Sequence, residues 1–293
     1  MNLRDLEYLV AIADLRSFGA AAKRCFVSQP TLSGQIKKLE GELGARLFER
    51  TNKKVLPTEI GQAVVEAARR VIRETEAIRE IVENSRDPLS GRFRLGAFPT
   101  LSTYLFPELV KKISRTMPKL RLILVEEKTA ALLVQLQSGE LDAALVALPI
   151  SDVRLSSREL FIDPFLLAVS SADPLAKSKQ VQPEELSRRR LMLLDEGHCL
   201  RDQALEFCRF KGISEEPDFR ATSLETLRQM VKSGTGITLM PAIAARVREP
   251  GIRYIPFAAP SPSRRIGLVW RKTSARLKII ERLAGLLALA PVK

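Results

Sequence analysis

The sequence is poor in the residues from which metal centres and catalytic triads are built. Its 293 residues include three cysteines and one histidine, His198. With no second histidine, the sequence argues against a zinc site and against a Cys/His enzyme. It has no run of 18 apolar residues, and no early stretch combines a basic start, an apolar run and a small-residue cleavage site. We expect a cytoplasmic protein that binds no metal, needs no cofactor and crosses no membrane.

The composition is that of an ordinary globular protein of two or more domains. Hydrophobic residues make up 45% and charged residues 28% of the chain, and the net charge is +13. The charge lies unevenly, because residues 1–90 hold 15 basic and 13 acidic residues, whereas residues 23–54 hold 8 and 3. This basic segment has the charge that contact with nucleic-acid phosphates requires, and the alternative is a solvated surface.

Three helices are predicted before Gly44, which is placed to end the third of them. Residues 4–14 carry one apolar stripe, and Ser17 is placed to cap a second helix of small residues. Ser28 caps the third helix, whose first turn contains a proline that costs no hydrogen bond there. The third helix is expected to bury Leu32, Ile36, Leu39 and Leu43.

The polar face of the third helix is suited to the major groove of DNA. Short polar and long basic side chains there reach base edges and phosphates, and the helix dipole attracts a phosphate. Residues 47–55 then predict strand, turn and strand with basic tips, which is the shape of a wing over the DNA backbone. The predicted DNA-binding residues are Ser28, Gln29, Pro30, Thr31, Ser33, Gln35, Lys38, Arg50, Lys53 and Lys54.

The same segment resembles a known family of regulators. The motifs that carry the resemblance are Phe18, Ala20-Ala21-Ala22, Ser28-Gln29-Pro30, Leu32-Ser33, Gln35-Ile36, Leu39-Glu40, Leu43-Gly44 and Leu47-Phe48-Glu49-Arg50. Together they resemble the LysR-type transcriptional regulators. The resemblance implies a winged helix-turn-helix DNA-binding domain at residues 1–58, followed by an α/β regulatory domain of two lobes with a periplasmic-binding-protein-like fold.

A long helix with an apolar seam is predicted after Thr58. Residues at spacings of three and four are apolar at Ile60, Val64, Ala67, Val71, Ile78 and Ile81, with Glu74 as the one polar interruption. We expect residues 59–87 to pair two chains and so to set the distance between two recognition helices on a pseudo-palindromic site. The alternative is a helix that packs only on its own domain.

A cluster of Ser, Pro and Gly at residues 85–91 indicates a linker, and a regulatory domain is predicted over 88–293. Strands near 93–97, 120–125 and 143–146 alternate with helices at 101–116 and 129–138, which predicts a parallel sheet. Further strands are predicted near 165–169, 191–194, 219–221, 236–239, 252–257 and 266–270, with a closing helix from about 275. The resemblance implies lobe I at about 88–161 and 267–293, lobe II at about 162–266, and a ligand cleft between them.

Two of the three cysteines lie in one amphipathic segment. Cys199 follows a strand and a glycine and opens a helix, whose N-terminus favours the thiolate, whereas Cys25 has an apolar helical position and is expected to be inert. If residues 199–208 are helical, the two Cα atoms lie about 13 to 14 Å apart. A disulfide allows at most about 7 Å, so bonding Cys199 to Cys208 would require the helix to unwind. Structural burial of both cysteines is the alternative.

This segment, the flanking residues 192–194 and 219–228, and residues 1–10 and 264–269 resemble the peroxide-sensing members of the LysR family. The resemblance implies that Cys199 is the peroxidatic cysteine and Cys208 the resolving one, which form a sulfenic acid and then a disulfide. It also implies a peroxide pocket lined by Thr100, Thr129, His198 and Asp202. The implied partners are hydrogen peroxide as signal, double-stranded promoter DNA, RNA polymerase and reductants of the glutaredoxin or thioredoxin type. The implied regulator is a homodimer or homotetramer that activates oxidative-stress defence genes.

Three other functions stay open at this point. A LysR-type regulator with structural cysteines would bind a metabolite in the cleft and respond to it with no loss of thiols. A thiol peroxidase would turn over many equivalents of peroxide, and the single histidine counts against it. A periplasmic solute receptor would share the two-lobed fold, and the DNA-binding segment counts against it.

Overall fold

The structure is a computed structural model that describes residues 1–50, 55–186, 189–197, 199–211, 214–245 and 249–288. The chain divides into two compact units, Met1–Arg86 and Asp87–Lys293. Each unit has hydrophobic core clusters of its own. None of the helices within the described ranges is both long and apolar enough to cross a membrane.

The N-terminal unit is a helix-turn-helix followed by a two-stranded wing and a long helix. Its second, third and fourth helices begin at the predicted caps, because the Ser17, Ser28 and Thr58 hydroxyls accept hydrogen bonds from backbone N–H groups three residues ahead. Gly44 ends the third helix with a φ of 64°. The elements are α1 (Leu3–Leu15), α2 (Phe18–Arg24), α3 (Gln29–Leu43), β1 (Phe48–Arg50), β2 (Val55–Pro57) and α4 (Glu59–Arg86).

The core of this unit confirms three of the four predicted buried positions in α3. Leu32, Ile36 and Leu39 are at most 1% exposed and pack with residues of α1 and α2. Leu43 is 41% exposed, so the prediction that it is buried was wrong. It is the last residue of α3, and the buried stripe of that helix already ends at Leu39 because the chain turns away at Gly44.

Helix α4 has two apolar stripes, one buried and one largely exposed. Val65 and Ala68 are each 2% exposed and belong to the core of the N-terminal unit. Ile60, Val71 and Ile78 of the predicted seam are 58%, 47% and 62% exposed. Val64 of the seam also packs against this core, so the helix packs on its own domain, and pairing of the exposed seam residues with a second chain stays a prediction.

The second unit begins with the predicted βαβαβ arrangement. β3 pairs in parallel with both β4 and β5, which confirms the expected parallel sheet. The first helix of the pair begins at Pro99, two residues earlier than expected, since proline is accommodated in the first turn. These elements are β3 (Gly91–Ala97), α5 (Pro99–Thr116), β4 (Leu120–Glu126), α6 (Thr129–Ser138) and β5 (Ala143–Leu148).

The rest of the second unit completes two lobes. Its elements are β6 (Leu155–Ser170), short 3-10 helices at Pro174–Lys177 and Pro183–Leu186, β7 (Arg190–Leu194), α7 (Cys199–Lys211), β8 (Ser214–Ala221), α8 (Leu224–Lys232), β9 (Thr238–Pro241), α9 (Ala242–Ala245), β10 (Ile252–Pro256), β11 (Ser263–Arg271) and α10 (Leu277–Ala288). Lobe I is built around the core that contains β3, β5, α5 and α10. Lobe II is built around the core that contains β7, β9, α7 and α8.

Two long antiparallel strands, β6 and β11, run between the lobes. They pair with each other, and the joined sheet has the order β10, β6, β11, β5, β3, β4 with β9 also on β6. On β6, Leu160 belongs to the core of lobe I and Phe165 to the core of lobe II. The sequence predicted only the second half of β6, because exposed residues such as Arg158 and Glu159 interrupt the apolar pattern of its first half.

Candidate functional site

The exposed face of α3 carries most of the predicted DNA-binding side chains. Ser28 accepts a hydrogen bond from the backbone N–H of Thr31 at 3.2 Å, and the two hydroxyl oxygens are 2.7 Å apart. The two hydroxyls therefore hold each other at the start of the helix. Ser33 is half-buried, and the exposed members of the set are Ser28, Gln29, Pro30, Thr31, Gln35 and Lys38.

The wing is tied to α3 by a contact that the sequence did not predict. The Glu40 carboxylate accepts hydrogen bonds from the backbone N–H groups of Leu47 at 2.8 Å and Phe48 at 3.3 Å. This contact fixes the start of β1 relative to the helix. Arg50 is the last residue of β1, and the predicted Lys53 and Lys54 lie outside the described residues.

Both predicted redox cysteines lie in α7. The helix begins at Cys199 and continues through Cys208 to Lys211, which confirms the helical prediction for this segment. At 1.5 Å per residue, the Cα atoms of the pair are about 13 to 14 Å apart. His198 lies outside the described residues, and Asp202 is exposed in the first turn of α7.

The start of α7 is anchored to the core of lobe II. Arg201, which is 7% exposed, donates a hydrogen bond to the carbonyl of Leu194 at the end of β7, at 3.1 Å. Asp195 donates its backbone N–H to the carbonyl of Ala221 at 2.8 Å. Leu200 on the same turn is 3% exposed. The first turn of α7 therefore has a defined position relative to β7 and β8.

Thr100 belongs to a buried polar cluster at the strand crossing. Its hydroxyl accepts a hydrogen bond from Nη1 of Arg264 at 2.9 Å, and its carbonyl accepts one from Nη2 at 3.2 Å. Arg264 also forms an ion pair with Asp163 at 2.8 Å, and both side chains are fully buried. Asp163 accepts a further hydrogen bond from the backbone N–H of Ile243 at 3.0 Å. The cluster joins α5 of lobe I to β6, β11 and α9.

Sequence reasoning missed Arg264 and Asp163. The two residues are direct cross-strand neighbours on β11 and β6, and the Arg264 guanidinium also lies 5.0 Å from the centre of the Phe98 ring. A weak signal existed, since β6 carries the acidic Asp163 and β11 carries the basic Arg264 where the two strands pass between the lobes. That signal becomes specific only when the strand register is known.

Thr129 is the first residue of α6, and its hydroxyl is buried. Among the described groups this oxygen has no hydrogen-bond partner. The residue before it, Lys128, donates from Nζ to the carbonyl of Glu196 at 2.8 Å and lies over Gly197. The start of α6 in lobe I thus meets the segment that leads into Cys199.

A cleft of about 460 Å³ lies between the lobes. Arg228 of α8 lines the cleft and is 3% exposed, and it donates hydrogen bonds to the hydroxyls of Tyr104 in lobe I and Tyr254 in lobe II. Burial raises the pKa of the Tyr254 hydroxyl. Residues from both lobes line the cleft: Pro99, Thr100, Thr103, Tyr104 and Glu126 from lobe I, and Thr222, Ser223, Leu224, Glu225 and Arg228 from lobe II.

A helix-turn-helix unit joined in one chain to a two-lobed α/β unit with a central cleft defines a ligand- or signal-responsive transcription regulator. Residues 3–62 match the family described as bacterial regulatory helix-turn-helix protein, lysR family, and residues 86–290 match the LysR substrate binding domain. The chain belongs to the LysR family of DNA-binding transcription regulators.

Several OxyR proteins are similar to this chain over nearly its whole length. The chain is 47% identical to the DNA-binding transcriptional dual regulator OxyR of Escherichia coli, over 97% of this chain and 94% of that protein. It superposes on a full-length OxyR cysteine variant from Pseudomonas aeruginosa with a TM-score of 0.79 and 37% identity, covering 100% of this chain and 99% of that one. It also superposes on a hydrogen peroxide-bound OxyR variant from Corynebacterium glutamicum with a TM-score of 0.69 and 32% identity, covering 99% of this chain and 92% of that one. The expected fold and family are therefore confirmed.

Proposed function

We propose that this protein is a cytoplasmic transcription regulator that senses hydrogen peroxide through Cys199 and Cys208 and activates oxidative-stress defence genes. The observation that carries the proposal is the position of both cysteines in α7, with Cys199 at its first residue. A helix N-terminus favours the thiolate that peroxide oxidises. The likeness to OxyR proteins, including one with hydrogen peroxide bound, supports the choice of signal.

The first chemical step is a two-electron oxidation of Cys199. Its thiolate attacks one oxygen of hydrogen peroxide, a sulfur–oxygen bond forms, and the oxygen–oxygen bond breaks. The departing oxygen leaves as hydroxide and takes up a proton to become water. The proposed pocket residues Thr100, Thr129, His198 and Asp202 orient the peroxide and supply hydrogen bonds to the departing oxygen.

The second step forms the disulfide between Cys199 and Cys208. The deprotonated thiol of Cys208 attacks the sulfenic sulfur of Cys199, a sulfur–sulfur bond forms, and the sulfur–oxygen bond breaks to release a second water. A disulfide tolerates at most about 7 Å between Cα atoms, roughly half the separation that the helix imposes. Oxidation is therefore coupled to unwinding of α7, and the reduced and oxidised regulatory domains differ in this region.

The reset needs a thiol reductant. A dithiol of the glutaredoxin or thioredoxin type supplies the two electrons and two protons that return both thiols. One peroxide is consumed per cycle of the switch, so the chemistry is that of a signal rather than of an enzyme. The refolded helix restores the starting state.

DNA binding is the output of the protein. The exposed face of α3 enters the major groove, and the wing, with Arg50, Lys53 and Lys54, lies along the backbone. Pairing of two chains through the exposed seam of α4 gives the two-fold arrangement that a pseudo-palindromic promoter requires. We propose a homodimer or homotetramer whose oxidised form contacts RNA polymerase.

The proposal is tested by combining DNA footprinting with thiol counting on the full chain. Peroxide at a few equivalents should remove two thiols per chain and change the footprint, and a dithiol should restore both. A Cys208→Ser protein should lose one thiol and keep the reduced footprint. If that variant instead shows the oxidised footprint, an obligatory disulfide between Cys199 and Cys208 is wrong.

A second candidate function is a LysR-family regulator that responds to a small metabolite in the cleft between the lobes. The cleft volume of about 460 Å³ and its lining by hydroxyls and charged groups from both lobes favour this candidate. A ligand of this kind raises the melting temperature with no loss of thiols. Peroxide insensitivity together with such a melting shift would select this function over the redox one.

A further inference from the structure

Lys128 makes a contact between the lobes directly before the proposed redox helix. Its Nζ donates a hydrogen bond to the carbonyl of Glu196 at 2.8 Å. A Cβ built on Gly197 would lie 3.1 Å from Cδ and 3.2 Å from Nζ of this lysine. The lysine side chain thus lies flat against the backbone two residues before Cys199.

We propose that Lys128 is a positioning residue for the oxidation of Cys199, since it holds the turn before α7 against lobe I and keeps an ammonium group there. This inference rests on the proposed peroxide-sensing function. Lobe II anchors the same turn through Arg201 and Asp195, and Lys128 is the contact that reaches it from lobe I among the described residues. Lys128 also directly precedes Thr129, whose buried hydroxyl belongs to the proposed peroxide pocket.

The backbone of the turn is suited to this contact. Gly197 has a φ of 82°, in the left-handed region that favours glycine, and a larger residue would also press on the lysine stem. The glycine therefore permits both the conformation of the turn and the close approach of Lys128.

The charge of Lys128 acts in the same direction as the helix. A positive group near a helix N-terminus adds to the potential that favours a thiolate at its first residue. The other ionisable groups of the two converging segments are Glu126, Glu127, Asp195, Glu196, Arg201 and Asp202, together with His198 outside the described residues. The loss of Lys128 removes a cation from two segments in which the acidic groups already outnumber the basic ones, and we expect this to disfavour the Cys199 thiolate.

The contact also belongs to one state of the switch. The Glu196 carbonyl is three residues from Cys199, so we expect unwinding of α7 to weaken the hydrogen bond from Lys128. The hydrogen bond therefore stabilises the reduced arrangement. Without this hydrogen bond, the dithiol–disulfide equilibrium in a glutathione redox buffer shifts toward the disulfide relative to the wild type, even though the first oxidation is slower.

The test compares Lys128→Gln and Lys128→Arg with Lys111→Gln, which removes the same charge from an exposed site on α5 of the same lobe. We measure the rate of thiol loss with peroxide across pH and the dithiol–disulfide equilibrium in glutathione buffers. Lys128→Gln should react about three to ten times more slowly near neutral pH and raise the pH midpoint of Cys199 alkylation by about half a unit to one unit. Lys128→Arg should keep the wild-type rate, as should Lys111→Gln.

An unchanged rate and midpoint in Lys128→Gln, or an equal fall in Lys111→Gln, overturns the inference and leaves the proposed function standing. If the wild-type protein does not lose thiols to peroxide, the proposed function fails first and the inference fails with it. If Lys128→Gln folds poorly, Lys128→Met and the arginine variant give the same comparison at a temperature below their melting points.

Discussion

Arg264 donates a hydrogen bond through Nη1 to the hydroxyl of Thr100, 164 positions earlier in the chain, at 2.9 Å. Both residues are buried, at 2% and 3% exposure. The contact links the start of α5 in lobe I to the strand crossing, where Asp163 compensates the buried guanidinium. One of the proposed peroxide-binding hydroxyls is therefore held by the same group that joins the two lobes.

The buried pair predicts an unequal effect of two neighbouring substitutions. Asp163→Ala leaves the Arg264 charge buried and uncompensated, and we expect it to lower the free energy of unfolding by about 3 to 5 kcal/mol. Arg265→Met removes a pair with Glu159 that is 3.5 Å long and exposed on both sides, and it should cost less than about 1 kcal/mol. Urea unfolding of the full chain measures both. Equal losses would show that burial of the first pair has no energetic consequence.

Substitution of two threonines of the proposed pocket should have different effects on the free energy of unfolding but similar effects on the rate of thiol loss. Thr100→Val deprives Arg264 of an acceptor and should cost about 1 to 3 kcal/mol of unfolding free energy. Thr129→Val breaks no hydrogen bond among the described groups and should change stability by less than about 0.5 kcal/mol. Both should slow the loss of thiols with peroxide by about tenfold or more, because each removes a hydroxyl from the pocket. A normal rate in Thr129→Val would exclude that hydroxyl from the reaction.

The two stripes of α4 predict different consequences of substitution. Ile78→Glu places a charge in the exposed seam and should weaken self-association by at least about tenfold without changing the unfolding of the N-terminal core. Val65→Ala removes buried methyl groups and should lower the free energy of unfolding by about 1 to 3 kcal/mol. Sedimentation equilibrium and urea unfolding measure these effects. Undiminished self-association in Ile78→Glu would place the dimer contact elsewhere.

Cys25 should remain reduced while the other two cysteines react. Burial raises the pKa of its thiol above the ordinary value, with Arg24 opposing the shift and Glu7 adding to it. A raised pKa means less thiolate at neutral pH, so alkylation of Cys25 should become appreciable only at a higher pH than for an ordinary thiol. Mass spectrometry of labelled peptides follows each cysteine separately. Oxidation of Cys25 at the same rate as Cys199 would contradict this prediction.

The local features of the chain were predictable because they depend on residues close in sequence. The caps at Ser17, Ser28 and Thr58 and the end of α3 at Gly44 follow from hydrogen bonds within three or four residues. The helical state of residues 199–211 follows from the amphipathic pattern in the same way. Leu43 was predicted wrongly because burial at the end of a helix depends on where the chain goes next.

The sequence by itself determined the helix-turn-helix, the first βαβαβ arrangement of the second unit, the family to which the chain belongs and the incompatibility between an intact α7 and a bond joining its two cysteines. Only the tertiary structure decided that Arg264 meets Thr100 and Asp163, that Glu40 holds the wing, and that Lys128 reaches the turn before Cys199. The physical reason is the separation along the sequence between the residues that interact. Helix periodicity and capping act over a few residues, whereas these contacts join positions between 7 and 164 residues apart and exist only once the strands and helices have packed.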